Sequence, residues 1–188
     1  MTGTRKNGKR EGSKSARALQ ATLVELQALQ LQTRQAHWNV SGTLYWPLHE
    51  MLDAHYTGIA AMVDVVAERL VAVGSPADGR PQSIIDGSDL EEIAGGFVDD
   101  AWCLQFFAKQ YASVSSRLLE RITDVEDGDP TSANLLQEVQ QLIDKNQWQM
   151  RAHFQSTPTD RNTGADIGAS RKSAPRHTAM AGHGAATT

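Results

Sequence analysis

The sequence predicts an all-α protein: a four-helix bundle whose second and third helices are joined by a long connection carrying a short helix. Three observations carry this. Apolar side chains recur at three- and four-residue spacing through four long stretches. No stretch sustains the two-residue alternation of a half-buried strand. The clusters of Gly and Pro fall between the stretches rather than inside them.

The first helix is read from Leu19, Leu23, Leu26 and Gln30, with Thr33 and His37 continuing the row over about six turns. Asn39-Val40-Ser41-Gly42 breaks it. A second long helix starts near Pro47, a residue favourable in a first turn, and runs to about Val73 before Gly74-Ser75-Pro76. Residues 76–88 read as loop, and Asp89-Leu90-Glu91-Glu92-Ile93 as a short helix ended by Gly95-Gly96. The third long helix spans Phe97 to about Val125, and the turn Asp127-Gly128-Asp129-Pro130 leads into a fourth that ends near Gln155. Short turns after the first and third helices and a long link between the second and third give a bundle with one crossover.

Charge divides the 188 residues in three. The net −4 averages an acidic body, residues 18–157, with eight Lys/Arg against nineteen Asp/Glu, and two basic ends. Residues 1–17 carry Arg5, Lys6, Lys9, Arg10, Lys14 and Arg17 against Glu11 alone, and residues 158–188 carry four Arg/Lys against two Asp. All eleven aromatic residues lie between Trp38 and Phe154. Ends without aromatic residues and rich in Gly, Ser, Thr, Ala and basic residues cannot offset chain entropy by burial, so both are expected to be disordered tails on one folded domain. The single cysteine, Cys103, excludes an intrachain disulfide and a thiolate zinc cluster. Apolar runs of about five residues are far below the roughly 20 that span a bilayer. No apolar run follows the basic start, which argues against a secretory signal and for a cytoplasmic setting.

The chemistry lies in the second helix. His49 and Asp53 are one turn apart, as are Asp64 and Glu68, and the eleven residues from 53 to 64 return to the same face at ~100° each. With His37 on the first helix, this is an imidazole and carboxylate set suited to iron, manganese or zinc. Asp53 and Asp64 stand ~16 Å apart along the axis, whereas metal–ligand bonds are about 2 Å. One subunit therefore cannot wrap both pairs around one ion. Either there are two half-sites, or two copies of the helix run antiparallel across a two-fold axis and build two equivalent sites, which is the arrangement favoured here.

These residues resemble a known family. Gln35-Ala36-His37-Trp38-Asn39-Val40-Ser41-Gly42, then Leu48-His49-Glu50-Met51-Leu52-Asp53, then Asp64-Val65-Val66-Ala67-Glu68-Arg69 is similar to the signature of the Dps proteins, the mini-ferritins, over roughly residues 17–157. The resemblance implies a ferritin-like bundle, a hollow dodecamer, and di-iron ferroxidase sites in which His37, His49 and Asp53 come from one subunit and Asp64 and Glu68 from its mate. It implies oxidation of Fe²⁺, preferably by hydrogen peroxide, and storage of a ferric mineral core. Trp38, beside the first ligand, is expected to donate an electron to an oxidant at the site. A true ferritin would use Glu-x-x-His motifs, and no Glu here is followed three residues later by His.

Two further expectations concern partners. In the family, iron is admitted through acidic pores near the start of the fourth helix, where Glu126, Asp127 and Asp129 stand, although Asn134 replaces a common Asp. The basic residues of 1–17 suit phosphate contacts without base readout, and twelve copies would add avidity. The leading expectation is thus an iron-oxidising cage that binds DNA non-specifically and associates with the nucleoid. The alternatives are a nucleoid-condensing structural protein with an idle metal site, and a dimeric di-metal oxygenase. His55, His153 and Cys103 are read as structural.

Overall fold

The structure, a computed structural model, describes residues 13–155. Of these, residues 13–153 belong to one compact unit, and Phe154 and Gln155 to a second. The first unit contains helix α1 (Lys14–Asn39), strand β1 (Val40–Ser41), helices α2 (Tyr45–Ala72) and α3 (Pro81–Gly87), strand β2 (Val98–Asp99), and helices α4 (Asp100–Val125) and α5 (Pro130–Ala152). This is the expected ferritin-like bundle with its crossover between α2 and α4.

Helix α1 begins four residues inside the segment expected to be a tail. Ser13 caps it, its hydroxyl accepting from the Ala16 amide at 3.1 Å. Lys14 and Arg17 are therefore helical residues, whereas Arg5, Lys6, Lys9, Arg10 and the segment 158–188 lie outside the described residues. The buried row of α1 passes through Leu19, Leu23, Leu26 and Leu29, with Thr33 and Ala36 below it. Leu29 takes the core place assigned by sequence to Gln30, because burial of the amide would leave it unsatisfied.

The crossover departs from expectation. Residues 89–93 are not helical, and the short helix lies earlier, at Pro81–Gly87. Pro81 at its first turn supplies a φ already suited to a helix, while Leu90 and Ile93 lie half-buried against the core as an irregular segment. The third long helix likewise starts at Asp100 rather than Phe97, because Val98 and Asp99 pair in parallel with Val40 and Ser41. Asp99 then caps α4 through the Trp102 amide at 3.0 Å.

This two-residue ladder decides the topology. It ties the end of α1 to the start of α4, and so places the starts of α2 and α4 at the same end of the bundle. Leu48, Leu52, Ile59 and Leu70 of α2 meet Phe107, Tyr111 and Leu118 of α4 and Leu136, Val139 and Ile143 of α5 in one core. A buried carboxylate is set into it. Glu25, 2% exposed, accepts from Arg117 and, at 2.7 Å, from Arg121.

Candidate metal centre

His37 lies in the last turn of α1 and His49 in the second turn of α2, separated by the five-residue connection 40–44. Each ring is held by the other's backbone. The His37 Nδ1–H donates to the His49 carbonyl at 3.0 Å, and the His49 Nδ1–H donates to the His37 carbonyl at 2.8 Å. A carbonyl only accepts, so both Nδ1 atoms carry a proton, and in the neutral ring the lone pair lies on Nε2. The rings stack with centroids 3.8 Å apart and planes at 21°. Two imidazoles with fixed tautomers and open Nε2 donors are what a divalent metal requires of histidine ligands.

Asp53, one turn beyond His49, is half-exposed and its Oδ1 accepts from Arg34 Nη1 at 2.7 Å. The same guanidinium lies 3.7 Å from the Tyr56 ring centroid, which fixes its direction. Asp64 and Glu68 are exposed further along α2, and neither takes part in an ion pair among the described residues. No three His, Cys, Asp or Glu side chains of the described residues converge on a point where one ion would fit. One chain therefore carries a histidine end with Asp53 and a separate acidic end, as the ~16 Å between Asp53 and Asp64 requires.

Aromatic rings surround the histidine end. Trp46 stacks on His49 at 6.0 Å and 25°, and Tyr45 approaches it at 5.3 Å. Trp38 is 67% exposed and makes no ring contact with either histidine among the described residues. Sequence reading singled out Trp38 for adjacency to His37 and passed over Trp46. Its position three residues before His49 on a helix was the signal.

The ferritin-like domain family matches residues 16–159. A crystal structure of the Dps92 protein from Deinococcus radiodurans is 61% identical, with 82% of this chain covering 93% of that one at a TM-score of 0.76. The chain belongs to the Dps family. DNA protection during starvation protein 2 of D. radiodurans is 59% identical over 160 residues, 85% of this Dps chain. That stretch spans 66% of the relative, slightly less than two thirds of its length. A Dps of Microbacterium arborescens, solved in a high-iron form, is 28% identical, with 75% of this chain covering 92% of that one at a TM-score of 0.72.

The other expected sites of this Dps chain take varied places. Glu126 caps the end of α4 and Asp127 is exposed in the turn that follows. Asp129 instead caps α5. It accepts from the Ser132 amide at 3.1 Å and hydroxyl at 2.5 Å and pairs with Arg69 at 2.7 Å. Partial burial works against its ionisation, but Ser132, Ser15 and the Arg69 guanidinium outweigh it and hold the carboxyl down at about 2. Its oxygens are thus already engaged within the subunit. Lys14 and Arg17 are exposed on the first turn of α1.

The residues read as structural are so placed. Buried His55 meets the Tyr111 hydroxyl at 3.1 Å and Gln149 Oε1 at 2.8 Å. Desolvation drives its pKa down to about 4 against a raising hydrogen bond from Gln149, with Lys145 lowering it further. His153 donates from Nδ1 to the Gln149 carbonyl at the end of α5. Burial pushes the Cys103 thiol up to about 12, with the Asp100 charge adding to it, which disfavours the thiolate.

Proposed function

We propose that this Dps chain is a ferroxidase and iron-storage subunit. Two copies pair through antiparallel α2 helices, so that His37, His49 and Asp53 of one chain and Asp64 and Glu68 of the other hold two Fe²⁺ ions as substrate. Assembly into a dodecamer encloses the ferric mineral core. The carrying observation is the reciprocal hydrogen bonding of His37 and His49 through Nδ1, which leaves both Nε2 atoms without a hydrogen bond.

The donor set fits iron in both oxidation states. Two neutral nitrogens with three carboxylates form a mixed, fairly hard set, and the anionic charge favours Fe³⁺. Hydrogen peroxide is the preferred oxidant in this reading. It takes one electron from each of two Fe²⁺ ions and, with two protons, leaves as two waters, so no hydroxyl radical is released. Trp46, in ring contact with His49, and Trp38, beside His37, are the indoles that quench a stray oxidising equivalent. The high-iron form of the M. arborescens Dps supports the storage role. An acidic body draws cations inward, and Glu126 and Asp127 remain available for a pore.

DNA protection, in the name of the D. radiodurans relative, is extended here to non-specific DNA binding through Arg5, Lys6, Lys9 and Arg10, with Lys14 and Arg17 at the root. No helix among the described residues is long and apolar enough to cross a membrane. The proposed location is the cytoplasm, on the nucleoid.

The test is Fe²⁺ consumption with hydrogen peroxide by cages of about 250 kDa, the mass of twelve 20.5-kDa chains. Wild type is expected to oxidise iron far faster than buffer, and a His37→Ala/Asp53→Ala variant of the same mass to fall to the buffer rate. Wild-type rates equal to buffer would instead support a DNA-condensing protein with an idle site. A variant lacking residues 1–12, which leaves Ser13 to cap α1, is expected to bind DNA more weakly and with a shallower salt dependence.

A further inference from the structure

The reciprocal hydrogen bonds of His37 and His49 demand that the last turn of α1 and the second turn of α2 be held at a fixed separation. The connection that sets it is only five residues long and contains Gly42 at φ +132°, a conformation that disfavours any side chain. Leu44, at the N-cap of α2, has no side chain that can satisfy the helix start.

The missing acceptor comes from α4. Asp100 Oδ2 accepts the Leu44 amide at 2.6 Å, and the Asp100 carboxylate fills the space where a Cβ on Gly42 would stand. Asp100 is 7% exposed. The contact plays the part that Glu takes in a capping box, accepting from the N-cap amide, but across 56 residues of sequence. The adjacent carboxylate, Asp99, caps its own helix, and Ser41 Oγ donates to the Val98 carbonyl at 3.3 Å to brace the same junction.

We propose that Asp100 is a positioning residue for the histidine pair. Seated against Gly42 and hydrogen-bonded to Leu44, it sets where α2 begins relative to α1. It thereby sets the register in which each ring reaches the other's carbonyl and stacks on the other ring. It touches no metal. The inference rests on the reading of His37 and His49 as metal ligands. It also makes Gly42 part of the same device, since the carboxylate can enter only where no Cβ stands.

Anaerobic titration with Co²⁺ alone, followed by its visible d–d bands, tests this without turnover. Cage mass and helical circular dichroism are checked for each variant. Asp100→Ala is expected to weaken Co²⁺ binding by about tenfold or more, as loss of an outer-shell support typically does, and to change the band shape. Asp100→Asn, whose amide oxygen still accepts from Leu44, is expected to stay near wild type. Gly42→Ala is expected to match Asp100→Ala. Intact Asp100→Ala cages with wild-type affinity and spectrum would overturn the proposal. Should that variant not assemble, Gly42→Ala cages binding Co²⁺ as wild type does would overturn it equally. Wild-type cages that bind no Co²⁺ would sink the proposed metal centre instead.

Discussion

Helices α2 and α4 have similar lengths but opposite fates within one chain. Helix α4 buries twelve of its 26 residues, among them Leu104, Phe107, Tyr111, Leu118 and Ile122. Helix α2, richer in apolar side chains through Ile59–Val66, buries only six of 28 and leaves Tyr45, Trp46, Val65 and Val71 exposed. A chain folding alone thus completes the surroundings of α4 and leaves one face of α2 unmatched. The proposed ligand stripe, His49, Asp53, Asp64 and Glu68, runs along that helix. Most of α4 is committed to the subunit core, whereas α2 divides its residues between that core and an open face, and disturbing the two should have separable effects.

The largest loss of subunit stability is expected on the α4 side. Glu25→Gln leaves the Arg117 and Arg121 guanidinium groups without their buried counter-charge and should cost about 3–5 kcal/mol, the scale for breaking a buried pair. The urea midpoint at fixed protein concentration measures it. A shift no larger than that of a surface substitution would show that α1 and α4 are not locked through this carboxylate.

Next comes the contact that bridges the two helices, His55 of α2 with Tyr111 of α4. The folded pKa of about 4 lies below the ordinary 6.5, so between those values the unfolded chain binds more protons than the folded one. Stability from this group is complete above about pH 6.5 and is lost as the pH falls towards 4, by about 3 kcal/mol in all at 1.36 kcal/mol per unit. His55→Gln should flatten the pH dependence of the unfolding midpoint across that window. The Asp129 carboxyl, held at about 2, contributes stability that disappears only on further acidification, below its ordinary value of 3.8.

The smallest effect on folding, with the largest on assembly, is expected at Val65. Val65→Asp places a charge on the open face of α2, 44% exposed in one chain. It should alter subunit stability by less than about 0.5 kcal/mol while solution mass falls from the cage value and iron oxidation is lost. Retention of cage mass would move the dimer contact off this face.

What the sequence made legible was periodic or local. The four helices follow from apolar rows, and the placing of His49, Asp53, Asp64 and Glu68 on one helix follows from spacings of four and eleven. What it hid depends on contacts between residues far apart in the chain. Glu25 looks like a solvated residue until Arg117 arrives from 92 positions away. Asp100 reads as an ordinary acid beside a helix start until Gly42 and Leu44 are seen against it. The misplaced short helix has a local cause. Acidic residues before two glycines imitate a capped helix, while Pro81 already supplies a start seven residues before the stretch ends.

The crossed hydrogen bonds between His37 and His49 carry a last consequence, one for inheritance. Each ring is anchored to a backbone carbonyl of the other residue, and a side-chain substitution leaves that carbonyl in place. Replacing either histidine therefore removes its own hydrogen bond and the ring stacking, while the survivor keeps its Nδ1–H partner and its tautomer. The two positions can change one at a time without releasing the ring that remains.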